Sequence, residues 1–178
     1  MKLRLACAFL CLPALLSARD LLNEQFDRGI SAWTADSGKA FKGPENNGTL
    51  VFRSVKVPEV GNQPGSVSYL LTGLAPGENY ELFADFRFEK NFPDTWPWAL
   101  ISVESAPARP GSGPSVIVDR RIPTRKRAGS GPEDSAWRTI SLPFNPGKAT
   151  SVIIRLSNNP SMLDQTHWDN IRVAPLNP

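Results

Sequence analysis

Trp168-Asp169-Asn170-Ile171-Arg172-Val173, near the end of a 178-residue chain, reads as a closing β-strand. Side chains along a strand alternate between its two faces, so Ile171 and Val173 turn to a core and Asp169 shares their parity. That places a carboxylate on the buried side, where an unpaired charge is costly. Asp169 should therefore meet a cation, a bound metal or several backbone N–H groups. Trp168 has the opposite parity, with Asn170 and Arg172, which assigns it to the outer face.

Upstream, the same period recurs. Tyr80, Leu82, Ala84, Phe86 and Phe88 alternate with Glu81, Asp85, Arg87 and Glu89, and only Phe83 breaks the outward set. Val67 to Leu71, Ala99 to Val103, Ile140 to Phe144 and Val152 to Leu156 repeat the pattern, with Trp137 out of phase and expected at the core or its edge behind a bulge. Leu22 to Asp27, Thr49 to Val57 and Ser115 to Asp119 supply further strands. No window of helix length shows a 3.6-residue period, and the punctuation is Gly, Pro and Asn. About nine to eleven short strands at this spacing predict an all-β, two-sheet antiparallel jelly-roll β-sandwich.

The chain opens Met1-Lys2-Leu3-Arg4, runs apolar from Leu5 to Leu16 and then offers the small residues Ser17 and Ala18. This is the pattern of a secretory signal peptide over residues 1–18, leaving residues 19–178 as a single domain, secreted or held in the cell envelope. Both cysteines, Cys7 and Cys11, fall in the leader, so the mature domain must rest on a core or a metal rather than on disulfides. Of the 20 basic residues, Lys2 and Arg4 lie in the leader, so 18 stand against 17 acidic ones. That near balance, without a recognisable motif, gives no argument for nucleic acid. No later apolar segment is long enough to span a bilayer.

Five landmarks in order resemble the jelly-roll carbohydrate-binding modules of the 4/9 and 22 type, in the galactose-binding-like superfamily. Asn23-Glu24-Gln25-Phe26-Asp27 with Trp33 is similar to the opening "N-x-x-F-E … W", and Asn47-Gly48-Thr49-Leu50 to the "G-x-x-S-L" strand entry. Leu74-Ala75-Pro76-Gly77-Glu78-Asn79-Tyr80 resembles "L-x-P-G-x-x-Y", Trp137 with Phe144 the "W … F" strand, and Trp168-Asp169-Asn170-Ile171 the closing "D-D-I/V". The resemblance covers nearly the whole mature chain and implies a structural calcium joining its two ends. Asp27 and Asp169 would be the carboxylate ligands, with backbone carbonyls around Asn47 completing a shell of oxygens. Asp27 is shorter than the usual Glu, and Asn170 replaces the second Asp. Without a metal, Asp169 would accept backbone hydrogen bonds and Asp27 would cap a turn.

Sugar binding asks for aromatic rings that stack on pyranose faces and for polar groups that fix the hydroxyls. Trp96 and Trp98 lie two apart on a proline-stiffened loop, Phe92 could extend their platform, and Arg87 is a polar partner; Trp168 on the outer face would add to a concave surface. Arg120-Arg121 and Arg125-Lys126-Arg127 could grip an anionic polysaccharide or form a solvated loop. Gln165-Thr166-His167 resembles the Gln-x-His pairing of jelly-roll alginate lyases, but both tyrosines, Tyr69 and Tyr80, have core parity. The expectation is a non-catalytic binder of a polysaccharide or oligosaccharide. A ligand-free structural sandwich is the alternative, and a lyase the residual one.

Overall fold

Thirteen strands run through the residues that the structure, a computed structural model, describes: 20–37, 39–43, 48–53, 55–57, 61–88, 98–107, 113–123, 136–158 and 165–176. They are β1 (Leu22–Glu24), β2 (Thr34–Ser37), β3 (Lys39–Gly43), β4 (Thr49–Arg53), β5 (Val55–Val57), β6 (Gly61–Gln63) and β7 (Ser66–Thr72). β8 (Tyr80–Phe88), β9 (Trp98–Ser105), β10 (Val116–Pro123), β11 (Arg138–Phe144), β12 (Ser151–Asn158) and β13 (Gln165–Pro175) follow. A six-stranded sheet has the order β11-β8-β13-β4-β3 with β1 also on β13, and a five-stranded sheet has the order β10-β9-β12-β7-β2. Every pairing is antiparallel. This is the expected two-sheet jelly-roll sandwich. Among the described residues no helix is long and apolar enough to cross a membrane.

Alternation explains the packing. On β8 every odd-step residue from Tyr80 to Phe88 is buried, and the residues between are half-buried. Ile101 and Val103 of β9, Ile154 and Leu156 of β12 and Leu50 of β4 meet them from both sheets. Each such side chain contributes about 1.5–3 kcal/mol on leaving water. The turn before β8 is closed by its own motif: the Tyr80 hydroxyl accepts the Ala75 N–H at 2.7 Å, and Gly77, at φ 80°, donates to the Gly147 carbonyl at 2.6 Å. A side chain would strain that φ. The Thr49 to Val57 run is two strands, β4 in the large sheet and β5 in a separate hairpin with β6.

β13 departs from the expected alternation at one residue. Asn170 stands at φ 47°, in the left-handed region, and the register against β8 shifts between Asp169 and Arg172. Before the bulge Trp168 pairs with the core residue Phe86, and after it Val173 pairs with Leu82. Trp168 is therefore in the core at 0% exposure, its ring 5.4 Å from that of Phe86, and not on the outer face. Asp169 is buried at 3%, but its register partner is Asp85, on the outward side of β8. An extra residue in one strand reverses the parity of everything beyond it, which is why counting back from Ile171 misplaced both side chains. Trp137 needs no bulge: it precedes β11 on the parity of Thr139 and Ser141, and is half-buried on the outer side.

Candidate functional site

The outer face of the six-stranded sheet carries two cross-strand rows. In the first, Arg87 of β8 lies directly opposite His167 of β13, which lies opposite Val51 of β4. Trp137 continues the row beyond β8, one step before the pair Arg138 and Phe86. The Arg87 guanidinium sits 5.6 Å from the Trp137 ring centroid, and its Nη2 donates to His167 Nδ1 at 3.4 Å. Arginine cannot accept, so this bond leaves Nδ1 unprotonated and puts the imidazole proton on Nε2. His167 is only 6% exposed, and Val51 is fully buried despite its outward register, so this part of the face is sheltered from water. Polar contacts gain strength in such a place.

The second row is polar. Asp85 lies between Thr139 on β11 and Asp169 on β13. The Thr139 hydroxyl donates to Asp85 Oδ1, and Asn170 Nδ2 donates to Oδ2 at 2.8 Å, so the carboxylate is held from both sides. Asp169 Oδ1 accepts the Asn170 N–H at 2.8 Å, a backbone partner of the kind its burial demands. At the far end Gly43 opposes Thr49, and a Cβ at Gly43 would collide with the Thr49 hydroxyl.

The five-stranded sheet presents a different outer face. Arg155 of β12 donates from Nε to both oxygens of Glu104, at 3.0 and 3.1 Å, and from Nη1 to Asp36. Ser102 bonds Glu104 at 2.8 Å, and Ser68 and Ser66 bond Asp36 at 2.8 and 3.2 Å. Both carboxylates are engaged by Arg155 and by serine hydroxyls. Trp98 belongs to this sheet, as the first residue of β9, half-buried with the Arg121 guanidinium 4.7 Å from its ring.

Of the residues singled out in the sequence for sugar, Arg87 and Trp98 thus fall on different sheets, and Trp168 is in the core. Phe92 and Trp96 lie outside the described residues. Sequence reasoning missed Trp137, His167, Asp85 and Thr139 as one constellation, because only the cross-strand register brings them together. Of the calcium ligands, Asn47 lies outside the described residues. Asp27 is exposed beside an open polar hollow of about 470 Å³ that Asn23, Glu24 and Arg28 also line. Its carbonyl accepts Lys42 Nζ at 2.6 Å, and a Cβ at Gly48 would run into the Phe26 carbonyl. The turn after β1 and the entry to β4 therefore meet at a place where a cation already sits on a backbone oxygen.

No family model and no curated protein sequence matches the chain. Solved structures do. The CBM22-1 xylan-binding domain from Paenibacillus barcinonensis Xyn10C superposes with a TM-score of 0.62 at 15% identity, over 90% of this chain and 97% of that one. The CBM22-1-GH10 modules of Clostridium thermocellum endo-1,4-β-D-xylanase 10B, complexed with xylohexaose, give 0.59 at 10% identity over 90% of this chain and 29% of that one. A CBM4 structure gives 0.51 at 12% identity over 87% and 86%. The chain has the jelly-roll fold that these carbohydrate-binding modules share.

Proposed function

We propose that this chain is a secreted, non-catalytic carbohydrate-binding domain that holds an oligosaccharide or polysaccharide on the outer face of its six-stranded sheet. The row Trp137, Arg87, His167 carries the reading, because it sets an indole beside two oriented polar groups on a sheltered floor. Trp137 would take the apolar face of a sugar ring, while Arg87, His167 and Asp85 would bond its hydroxyls. The fold neighbours that bind xylan or hold xylohexaose support the ligand class. Phe92 and Trp96, which lie outside the described residues, would be further aromatic contacts of the ligand. Affinity electrophoresis through soluble xylan and a panel of neutral and acidic polysaccharides tests the proposal. Wild type should be retarded, and Trp137→Ala and Arg87→Ala should not be, with melting midpoints near that of wild type. No retardation by any polysaccharide would sink it.

The lyase reading asks for a tyrosine acting beside His167, and the tyrosines of this chain are engaged elsewhere. The chain has two tyrosines: Tyr80 is buried with its hydroxyl on Ala75, and Tyr69 packs 5.3 Å from Trp33. Alginate incubated with the protein should therefore yield no unsaturated product. Calcium is the second part of the proposal. Asp27 and Asp169 would hold it, and the Lys42 ammonium on the Asp27 carbonyl marks a position where positive charge is favourable. Calcium should raise the melting midpoint and a chelator lower it; indifference to both removes the metal.

A further inference from the structure

Phe83 is the apolar exception among the outward side chains of β8, and neither the core nor the Trp137 row uses it. It is half-buried, pairing with Ser141 of β11 on one side and with Arg172 of β13 on the other, and Arg172 pairs in turn with the exposed Asn23 of β1. The Arg172 guanidinium lies 4.6 Å from the Phe83 ring centroid. The bulge at Asn170 makes that contact. Strict alternation from Asp169 would send Arg172 into the core, and the extra residue instead aims it at the outer face, where it is exposed. Ser141, on the opposite flank, is too small to cover the ring. Phe83 is thus braced by a guanidinium, as Trp137 is by Arg87. Four residues along β8 separate Phe83 from Arg87, about 13 Å at the rise of a strand. Between the two rows lies the Asp85 carboxylate, held by the exposed Thr139 and Asn170.

We propose that Phe83 and Arg172 form a second sugar subsite, so that this face takes an extended stretch of polysaccharide lying along β8 and not a single sugar. The inference rests on the sugar reading of the Trp137 row and adds a length and a direction to it. Phe83 would stack on a ring about 13 Å from the one on Trp137, a span longer than one pyranose. Asp85 would accept hydroxyls of the residues between them, and Arg172 and Asn23 would donate beside the far ring. A lone phenylalanine under an arginine would only be shielded from water; alignment with Trp137 across a polar middle gives this one a second use.

Affinity electrophoresis of the whole chain in xylan, mixed-linkage β-glucan, galactan and polygalacturonate first identifies a retarding polymer. Dimers and hexamers of that polymer then compete for the wild-type protein. The hexamer should compete at a concentration about tenfold below that of the dimer, because it alone reaches both rings. Phe83→Ala should weaken retention about tenfold, the loss of one stacked ring, and remove the hexamer's advantage. Phe83→Leu keeps apolar bulk on the sheet and loses the flat ring. It should bind as Phe83→Ala does while melting near wild type, which separates lost stacking from lost packing. Arg172→Ala should weaken retention in the same direction. Wild-type retention in both Phe83 variants, or a dimer that competes as well as the hexamer, overturns the second subsite. The Trp137 row survives that result if Trp137→Ala is still not retarded, so the two readings fail separately. If no polymer retards wild type, the sugar reading falls and this inference falls with it.

Discussion

Asn170 decides more of this structure than any apolar residue near it. Its φ of 47° lies where asparagine is tolerated and a β-branched side chain is strained. Because the chain turns there, Trp168 and Ile171 both face the core while Asp169 and Asn170 both lie toward Asp85. Asn170→Gly keeps the conformation and loses only the bond to Asp85; Asn170→Val keeps neither. Urea unfolding should put the valine variant about 1–2 kcal/mol below the glycine variant, and equal stabilities would show that the backbone there is unconstrained. The two tryptophans on either side of this sheet should separate in the same measurement. Trp168→Ala empties a fully buried site and should cost about 3–5 kcal/mol, whereas Trp137→Ala, half-buried on the outer face, should cost far less and remove sugar retention instead. The Asp169-Asn170 pair was visible in the sequence as a residue type that favours left-handed backbone. Strict alternation overrode that signal, and the faces of Trp168 and Asp169 were misread together.

β13 is the hub among the strands, pairing with β8 along one side and with β4 and then β1 along the other. Its amides and those of β8 lie inside the sheet, enclosed by the densest part of the core. Native-state hydrogen exchange should find them the slowest in the chain, while β3, β2 and β10 at the sheet edges exchange sooner. Slow exchange confined to β12 and β9 would instead place the stability in the smaller sheet. Element by element, legibility followed position in the sheet. β8 was readable to the residue, because an interior strand covered on one face must alternate. β10 was not, because an edge strand can turn Arg120 inward at a rim where solvent still reaches. The Thr49 to Val57 run looked continuous because nothing in its side chains records which partner each half will choose. The same limit hid the site. Trp137, Arg87 and His167 are separated by 50 and 80 positions along the chain and meet only through the β11-β8-β13 register.

Taken as a whole, the sandwich offers two outer faces with the same strand geometry and opposite chemistry. Composition and period two were enough to read the two-sheet architecture, but the choice of face rests on the row of Trp137, Arg87 and His167. On the five-stranded sheet Arg155 ties Glu104 to Asp36 and three serines complete the set, so a ligand there would have to break bonds already made. On the six-stranded sheet Trp137 presents a half-buried ring with Arg87 held against it. The faces should therefore respond in opposite ways to the loss of an arginine. Arg155→Ala leaves the Glu104 carboxylate, whose side chain is only 8% exposed, without its cation. That variant should lose about 2–4 kcal/mol of stability and, at a temperature where it is folded, keep the polysaccharide retention of wild type. Arg87→Ala, half-buried on the outer face, should keep a melting midpoint near that of wild type and lose retention. If Arg155→Ala abolishes retention while Arg87→Ala preserves it, the ligand lies on the five-stranded sheet, and the closed network there would be the binding surface.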